Sequence, residues 1–286
     1  MKKTIAKNKL ENGLYIISTP IGNLDDLSKR AVSILNDLDL IICENPKHSV
    51  KLLNKLGIKK KLISLHDHNE DFIIKKISPH QHNSKIGLIS DAGAPLISDP
   101  GYNLVNSFIK KKIKITAIPG PSSVITSLQV SGMPLNSFIF YGFIPKNLGK
   151  TKELLKEFLS TNKTGVFFVS GKNLTSFVKI IKESDPDIEI AICKELTKIN
   201  ENIYRGGVIE IFKKLNESSI NLKGEFTVVL SSKIKKVRKS ININVENQIS
   251  LLLKKYSLTE TVKIVHNLSN ISKNEVYAAA IKIKDK

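Results

Sequence analysis

The twenty-one residues 85–105, KIGLISDAGAPLISDPGYNLV, restrict the fold more than any other stretch of the chain. A short apolar run, Ile86, Leu88 and Ile89, has the make-up of a buried strand. It meets Ser90-Asp91-Ala92-Gly93-Ala94-Pro95, too rich in Gly, Pro and small residues to continue a ladder. A second turn, Ser98-Asp99-Pro100-Gly101, follows. Leu104, Val105, Phe108 and Ile109 then recur at helical spacing. Two tight turns thus separate a strand from a helix, and in an open α/β sheet that is the crevice edge where ligands bind. Two Asp and two Gly beside Ala and Ser favour a backbone shaped to approach a ligand over an ordinary connection.

Around this stretch strands and helices alternate. Leu14 to Thr19 reads as a first strand, ending at Thr19-Pro20-Ile21-Gly22-Asn23. A helix carrying Leu27, Ala31, Ile34, Leu35 and Leu38 follows. Leu40–Ile42, Leu62–Leu65 and Ile113–Ile118 supply three more strands, the last stopping at Pro119-Gly120-Pro121-Ser122-Ser123. A short helix with Val50, Leu53 and Leu56 has Gly57 as its C′ residue. The β-α-β-α order implies a mostly parallel, doubly wound sheet. Beyond it come a helix from Ser123 to Ser131, strands at Phe138–Phe143, Gly165–Val169, Ile188–Cys193, around Tyr204 and at Phe226–Leu230, and helices in Lys146–Leu159 and around Phe177–Ile181. This second set forms a separate, more antiparallel α/β domain.

After Ser232 the composition shifts to that of a linker. Two capping boxes follow, Ser257 with Glu260 and Ser272 with Glu275, each opening a helix. The expected division is a tail at 1–12, α/β domains at 13–120 and 121–232, and a linker with a helix-turn-helix-like unit at 233–286. That unit is compatible with nucleic-acid binding and with packing on the body.

A chain of 286 residues with 41% apolar content can build two cores. No apolar run reaches membrane-span length and no apolar stretch follows the basic start, so neither a membrane segment nor a signal peptide is expected. Cys43 and Cys193 sit in strand-like apolar runs and are expected as buried thiols in a cytoplasmic protein. A net charge of +19 favours a nucleic-acid partner. The chain is also saturated with Lys, Ile and Asn, the mark of an AT-rich coding sequence, so charge alone does not establish that partner.

Other chemistries find little support. Gly149-Lys150-Thr151 resembles a P-loop ending, but Ile144 stands where the first glycine belongs. His66 and His68, with Asp67 and Glu70, lack a second ligand cluster and read as a polar rim of the cleft rather than a metal site. No nucleophile elbow and no dinucleotide fingerprint are present. What remains is a set of small-residue bends at strand ends, suited to a group-transfer cofactor.

The segments LYIISTPIGNLDDLSKRA, LISLHDHNE, LISDAGAPLISDPGY, IPGPSSVITSLQVSGMP, FYGFIPK, KELTKINENIYRG and LKGEF resemble the tetrapyrrole methylase family, in particular its members acting on ribosomal RNA. The similarity runs from about Gly13 to Leu230, and YSLTETVKIVHNLSNISKNEVYAAA is similar to the C-terminal helices of the same proteins. The resemblance implies two α/β domains with S-adenosylmethionine in the cleft between them, a small C-terminal helical unit, and a homodimer. It implies 2′-O-methylation of a cytidine in the decoding region of 16S rRNA, with that RNA or the 30S subunit as partner. On that basis Pro20, Ser90, Asp91, Ala92, Gly93, Ser98, Pro119, Gly120, Ser122 and Ser123 line the donor site, and Phe168 and Glu225 close over it. Glu44, Lys194, Glu195 and Lys198 are candidates for the base or cation beside the ribose oxygen.

Two departures from the family pattern stand out. Glu44-Asn45-Pro46-Lys47-His48 replaces E-D-T-R, and Val169-Ser170-Gly171-Lys172-Asn173 replaces E-[AS]-P-H-R, so a Glu, a His and an Arg are missing. A corrin-type methyltransferase and a non-catalytic RNA-binding protein are the competing readings.

Overall fold

The structure, a computed structural model, describes residues 10–231, 243–269 and 271–284. The first lobe runs β1 (Gly13–Ile17), α1 (Lys29–Asp37), β2 (Leu40–Cys43), α2 (Pro46–Lys55), β3 (Lys61–Ser64), α3 (Glu70–Ile77), β4 (Lys85–Ile89), α4 (Tyr102–Lys110) and β5 (Ile115–Ile118). Its five strands are parallel in the order β3-β2-β4-β1-β5. Parallel strands are covered on both faces and so read as continuous apolar runs. Adjacent residues accordingly enter different cores. Ile41 joins Tyr15, Ile17 and Leu35 on one face, whereas Ile42 joins Leu14, Ile86 and Phe108 on the other.

Side-chain caps set the helix starts. Ser28 accepts from the Ala31 N–H at 3.1 Å, and Asn45 from the Lys47 N–H at 3.1 Å. The cap position of α4 is Gly101, which has no side chain to offer. Glu70 supplies the missing acceptor: its carboxylate takes the Leu104 N–H at 2.8 Å and is only 6% exposed. Glu70 therefore does not belong to a polar rim with His66 and His68. Its buried charge is taken up by a helix N-terminus, where a carboxylate is favoured.

The second lobe runs α5 (Ser123–Ser131), β6 (Phe138–Phe143), α6 (Leu148–Ser160), β7 (Thr164–Ser170), α7 (Gly171–Ser184), β8 (Glu189–Lys194), β9 (Asn202–Gly207), α8 (Val208–Asn216) and β10 (Glu225–Ser231). The strand order is β6-β7-β10-β8-β9, with β6 parallel to β7 and the remaining neighbours antiparallel. Phe158, Phe167 and Phe177 fill the core under α6, α7 and α8. On the other face α5 packs Val124 and Leu128 against Val166, Ala191 and Val229. Between the sheets, Ile21 after β1 meets Cys193 and Leu196 from the end of β8. Gly22 makes this approach possible, since a Cβ there would collide with Thr197, Lys198 and the Leu196 carbonyl.

The C-terminal residues form a unit of their own. The linker read from 233 lies outside the described residues as far as 242, and from Ile243 the chain is helical. The tail thus holds three helices, α9 (Ile243–Leu253), α10 (Leu258–Ser269) and α11 (Lys273–Lys284), rather than the two its capping boxes announce. Ile249 of α9 is buried with Val262, Val265, Val276 and Ala280, so α9 completes a core that two helices would leave open. Both boxes close: Ser257 and Ser272 each donate to the glutamate three residues on, at 2.7 Å. Among the described residues no helix is long and apolar enough to cross a membrane.

Candidate active site

Four connections leave the carboxyl ends of neighbouring strands β2, β4, β1 and β5, and hydrogen bonds fasten the first three to one another. The Thr19 and Gly93 backbones exchange hydrogen bonds at 2.9 and 3.1 Å. The Thr19 hydroxyl donates to the Ser90 carbonyl at 3.2 Å, and the Ser90 hydroxyl to the Gly93 carbonyl at 3.2 Å. The Asn45 N–H donates to the Asp91 carboxylate at 3.2 Å. In the bend after Asp91, Leu96 and Ser98 hold left-handed backbone angles, φ 74° and 69°. Such non-glycine conformations cost about 1–3 kcal/mol each and cluster at ligand sites.

These bends face the second sheet across a cavity of about 530 Å³. The first lobe contributes Ile21, Glu44, Asp91–Ala94, Ile97, Ser98, Asp99 and Ser122; the second contributes Ser123, Val124, Phe143, Phe168–Ser170, Cys193, Leu196 and Gly224–Thr227. Phe168 meets Phe143 edge-on at 5.1 Å between ring centres. The aromatic rings thus come from the second lobe, and most of the carboxylates (Glu44, Asp91 and Asp99) from the first.

Glu44, Asp91, Ala92, Gly93, Ser98, Ser122, Ser123, Phe168 and Glu225 all line this cavity. Ser90 does not; it is 3% exposed and braces the bend from behind. Pro20 joins Thr19 to Ile21, and Pro119 precedes Gly120, which opens onto an adjoining groove with Asp26, Gln129 and Thr197. Lys194 is buried at the end of β8, opposite Phe226 of β10. The Glu195 carboxylate accepts the Glu225 N–H at 2.8 Å and the Lys198 ammonium at 3.0 Å. Lys198 also reaches Glu225 at 3.0 Å. Glu195 and Lys198 are therefore engaged with each other beside the cavity, and of the four catalytic candidates Glu44 lines it.

The electrostatics single out Asp99, which the sequence shows only as part of a turn. Burial first, then the charges of Glu44 and Asp91, push its carboxyl up to about 6, with the Ser90 hydroxyl pulling the other way. Among the described residues its Oδ2 is enclosed without a hydrogen-bond partner. Glu44 is raised as well, by burial and then by Asp91 and Asp67. On the opposite wall burial pushes Glu195 up, but the Glu225 N–H and Lys198 together outweigh it and hold the carboxyl below its usual range. Cys193 is buried and its thiol pushed up to about 12, so it is an apolar wall element and not a nucleophile.

The Asn-Pro pair after β2 suits its place in the chain, whereas nothing in the structure explains Lys47 where the arginine is expected. Asn45 and Pro46 are the cap and first residue of α2, where both types are favoured. After β7, Gly171 opens α7 where a Cβ would run into the Leu222 carbonyl, which accounts for the glycine in place of a larger residue.

Residues 13–211 match the family model described as tetrapyrrole (corrin/porphyrin) methylases. A protein of Thermotoga maritima named ribosomal RNA small subunit methyltransferase I is 41% identical over 221 residues, 77% of this chain and 98% of the relative. A Rickettsia prowazekii protein of the same name is 36% identical over 282 residues, 96% of this chain and 98% of the relative. Among solved structures, the uroporphyrin-III C-methyltransferase of Thermus thermophilus superposes with a TM-score of 0.53 at 16% identity, covering 77% of this chain and 94% of that one. Diphthine synthase superposes at 0.57 and 13%, covering 76% and 89%. The last two speak to the fold alone. The parallel sheet with its fastened bends and the mixed sheet facing it are the architecture of the tetrapyrrole methylases, and the chain belongs to that family, with the ribosomal RNA small subunit methyltransferases I.

Proposed function

We propose that the chain transfers a methyl group from S-adenosylmethionine to the ribose 2′-oxygen of a cytidine in 16S rRNA, acting on RNA of the small ribosomal subunit, in the cytoplasm and as a homodimer. The observation that carries this reading is the end-to-end similarity to proteins named for that RNA.

The cavity fits such a donor. Phe143, Phe168, Ile21 and Leu196 offer apolar surface for an adenine ring, and Asp91, Asp99 and Glu225 offer acceptors for hydroxyl and ammonium groups beside a cationic sulfur. The enclosed Asp99 Oδ2, without a partner among the described residues, suits a ligand donor. When bound, S-adenosylmethionine supplies an activated methyl group on positively charged sulfur. The chain's own work is alignment and proton management. Holding the ribose oxygen in line contributes up to about 7–11 kcal/mol, and Ser98, held in a left-handed bend, is part of the wall against which the donor would be aligned. A ribose hydroxyl is a weak acid, so a carboxylate accepting its proton helps most when its own affinity for protons is raised. Glu44 and Asp99 meet that condition.

The test is transfer of labelled methyl groups to small ribosomal subunits from cells lacking this gene, with the product mapped by nuclease digestion and mass spectrometry. Label in one 2′-O-methylcytidine of 16S rRNA is expected. No label in rRNA, or label accepted by a precorrin instead, overturns the reading.

A further inference from the structure

The helices α9, α10 and α11 have a core separate from that of the two lobes. The Thermotoga maritima relative is matched over 98% of its length by 221 aligned residues, whereas the Rickettsia prowazekii relative takes 282. Proteins of one name therefore come in a short and a long form, and the short form has no length left for a unit the size of Lys233–Lys286. Whatever reaction the two forms share does not need these helices.

Over its helices the unit is about as basic as the chain as a whole, so it is the placement of its lysines that points to what it adds. Between residues 243 and 284 six lysines stand against three glutamates. Glu260 and Glu275 are turned back on Ser257 and Ser272 in the capping boxes, so they do little to offset lysines further along the helices. α11 buries Val276 and Ala280 and leaves Lys273, Tyr277, Ala278, Lys282 and Lys284 exposed. Lysines neutralise phosphates and release counterions. A small residue such as Ala278 lets a helix approach a nucleic-acid backbone, and an exposed Tyr such as Tyr277 offers a face on which a base stacks.

We propose that the exposed side of α11 is an accessory RNA-binding surface that raises affinity for the rRNA substrate and takes no part in the chemistry. The proposal rests on the small-subunit rRNA reading given above.

The full chain is compared with Lys273→Gln/Lys282→Gln/Lys284→Gln and, separately, with Tyr277→Ala, each checked for an unchanged helical circular-dichroism melt. Affinity is measured for deproteinised 16S rRNA and for intact small subunits over a salt series, alongside methyl transfer. For the triple variant the slope of log affinity against log salt is expected to become shallower by about 2–3. The KM for RNA rises about tenfold or more at physiological salt, while kcat and donor affinity stay put. Tyr277→Ala weakens binding about fivefold or more with little change in slope. An unchanged slope and KM in the triple variant overturn the proposal. So does a loss confined to intact subunits, which would assign the face to a ribosomal protein. If the wild-type chain binds rRNA through these lysines yet methylates nothing, the surface stands and the methyltransferase reading falls. If the triple variant methylates rRNA at an unaltered KM, the methyltransferase reading stands and the surface falls.

Discussion

The main-chain N–H of Asn45 donates to the Asp91 carboxylate at 3.2 Å, joining the carboxyl end of β2 to that of β4 at the cavity wall. Asn45 simultaneously caps α2 through its side chain. One residue thus fixes a helix start and steers a carboxylate of the first lobe. Asp91 in turn contributes, after burial, to the raised proton affinity of Glu44. Replacing Asp91 with Ala frees the Asn45 N–H and removes the charge. A charge-assisted hydrogen bond contributes about 1.5–3 kcal/mol, so donor binding should weaken about 10- to 100-fold. Titration calorimetry with S-adenosylhomocysteine reads this directly. Asp91→Asn, which keeps an acceptor oxygen, should lose much less.

Asp99 gives a pH signature. Its folded-state pKa of about 6 lies above the usual carboxylate value, so the folded chain holds that proton more tightly than the unfolded chain does. The stabilising contribution of the protonated group is complete below the ordinary carboxylate pKa and is lost as pH rises through about 6. Asp99→Asn removes this dependence. Its melting temperature should gain on the wild type between pH 5 and pH 7.5, while methyl transfer falls by about 10²-fold or more if Asp99 accepts the ribose proton. Equal melting shifts at both pH values would show that Asp99 does not titrate in this range.

How far the sequence could be read depended on the range of the interaction. The strands of the first lobe are legible because Leu40–Cys43 and Ile86–Ile89 are apolar on both faces, and Ser257 and Ser272 announce helices through partners three residues away. Both signals are local. α9 was hidden because its burial depends on Val262 and Val276, which come later in the chain and are brought to it only by folding. Asp99 looks like a turn residue until β2 and β4 lie side by side and bring Glu44 near it. Glu195 and Lys198 were legible as charged residues of the right loop, yet their engagement with each other and with Glu225 depends on β8 pairing with β10. The same pairing shaped Gly224, whose backbone sits at φ +114° with a missing Cβ directed 2.8 Å from the Glu195 carboxyl.

Gly224→Ala tests that arrangement. A side chain there must both adopt a left-handed conformation and displace Glu195. The combined cost should be about 2–4 kcal/mol, from about 1–3 kcal/mol of backbone strain and a weakened ion pair. Urea denaturation measures the loss. Glu195→Gln should cost less, about 1 kcal/mol, because the amide oxygen still accepts the Glu225 N–H. Glu195 has a lowered proton affinity in the fold, so its contribution is present above the ordinary glutamate pKa and fades as pH falls below it. The difference between wild type and Glu195→Gln should accordingly shrink in acid.

Leu196 is the apolar contact that holds the two lobes in register at the cavity. It is 6% exposed, packs with Ile21 and Cys193, and its side of the cluster faces the hollow. In a closed core a Leu→Ala exchange costs about 2–5 kcal/mol, increasing with the void left behind. Here the void opens onto an existing cavity that water can enter, so the stability cost should lie near the lower end. A functional cost should accompany it, because the loop at 195–198 loses the contact that seats it against Gly22. Leu196→Ala is expected to raise the KM for the methyl donor about tenfold with a smaller change in kcat, as loss of a positioning contact requires. Phe177→Ala supplies the contrast. Phe177 is 1% exposed in the core on the far face of the second sheet, and its loss should cost about 3–5 kcal/mol while leaving the donor KM of the folded fraction unchanged. Steady-state kinetics below both melting transitions separate the two, and a donor KM that moves equally in both variants would mean that Leu196 acts only through stability.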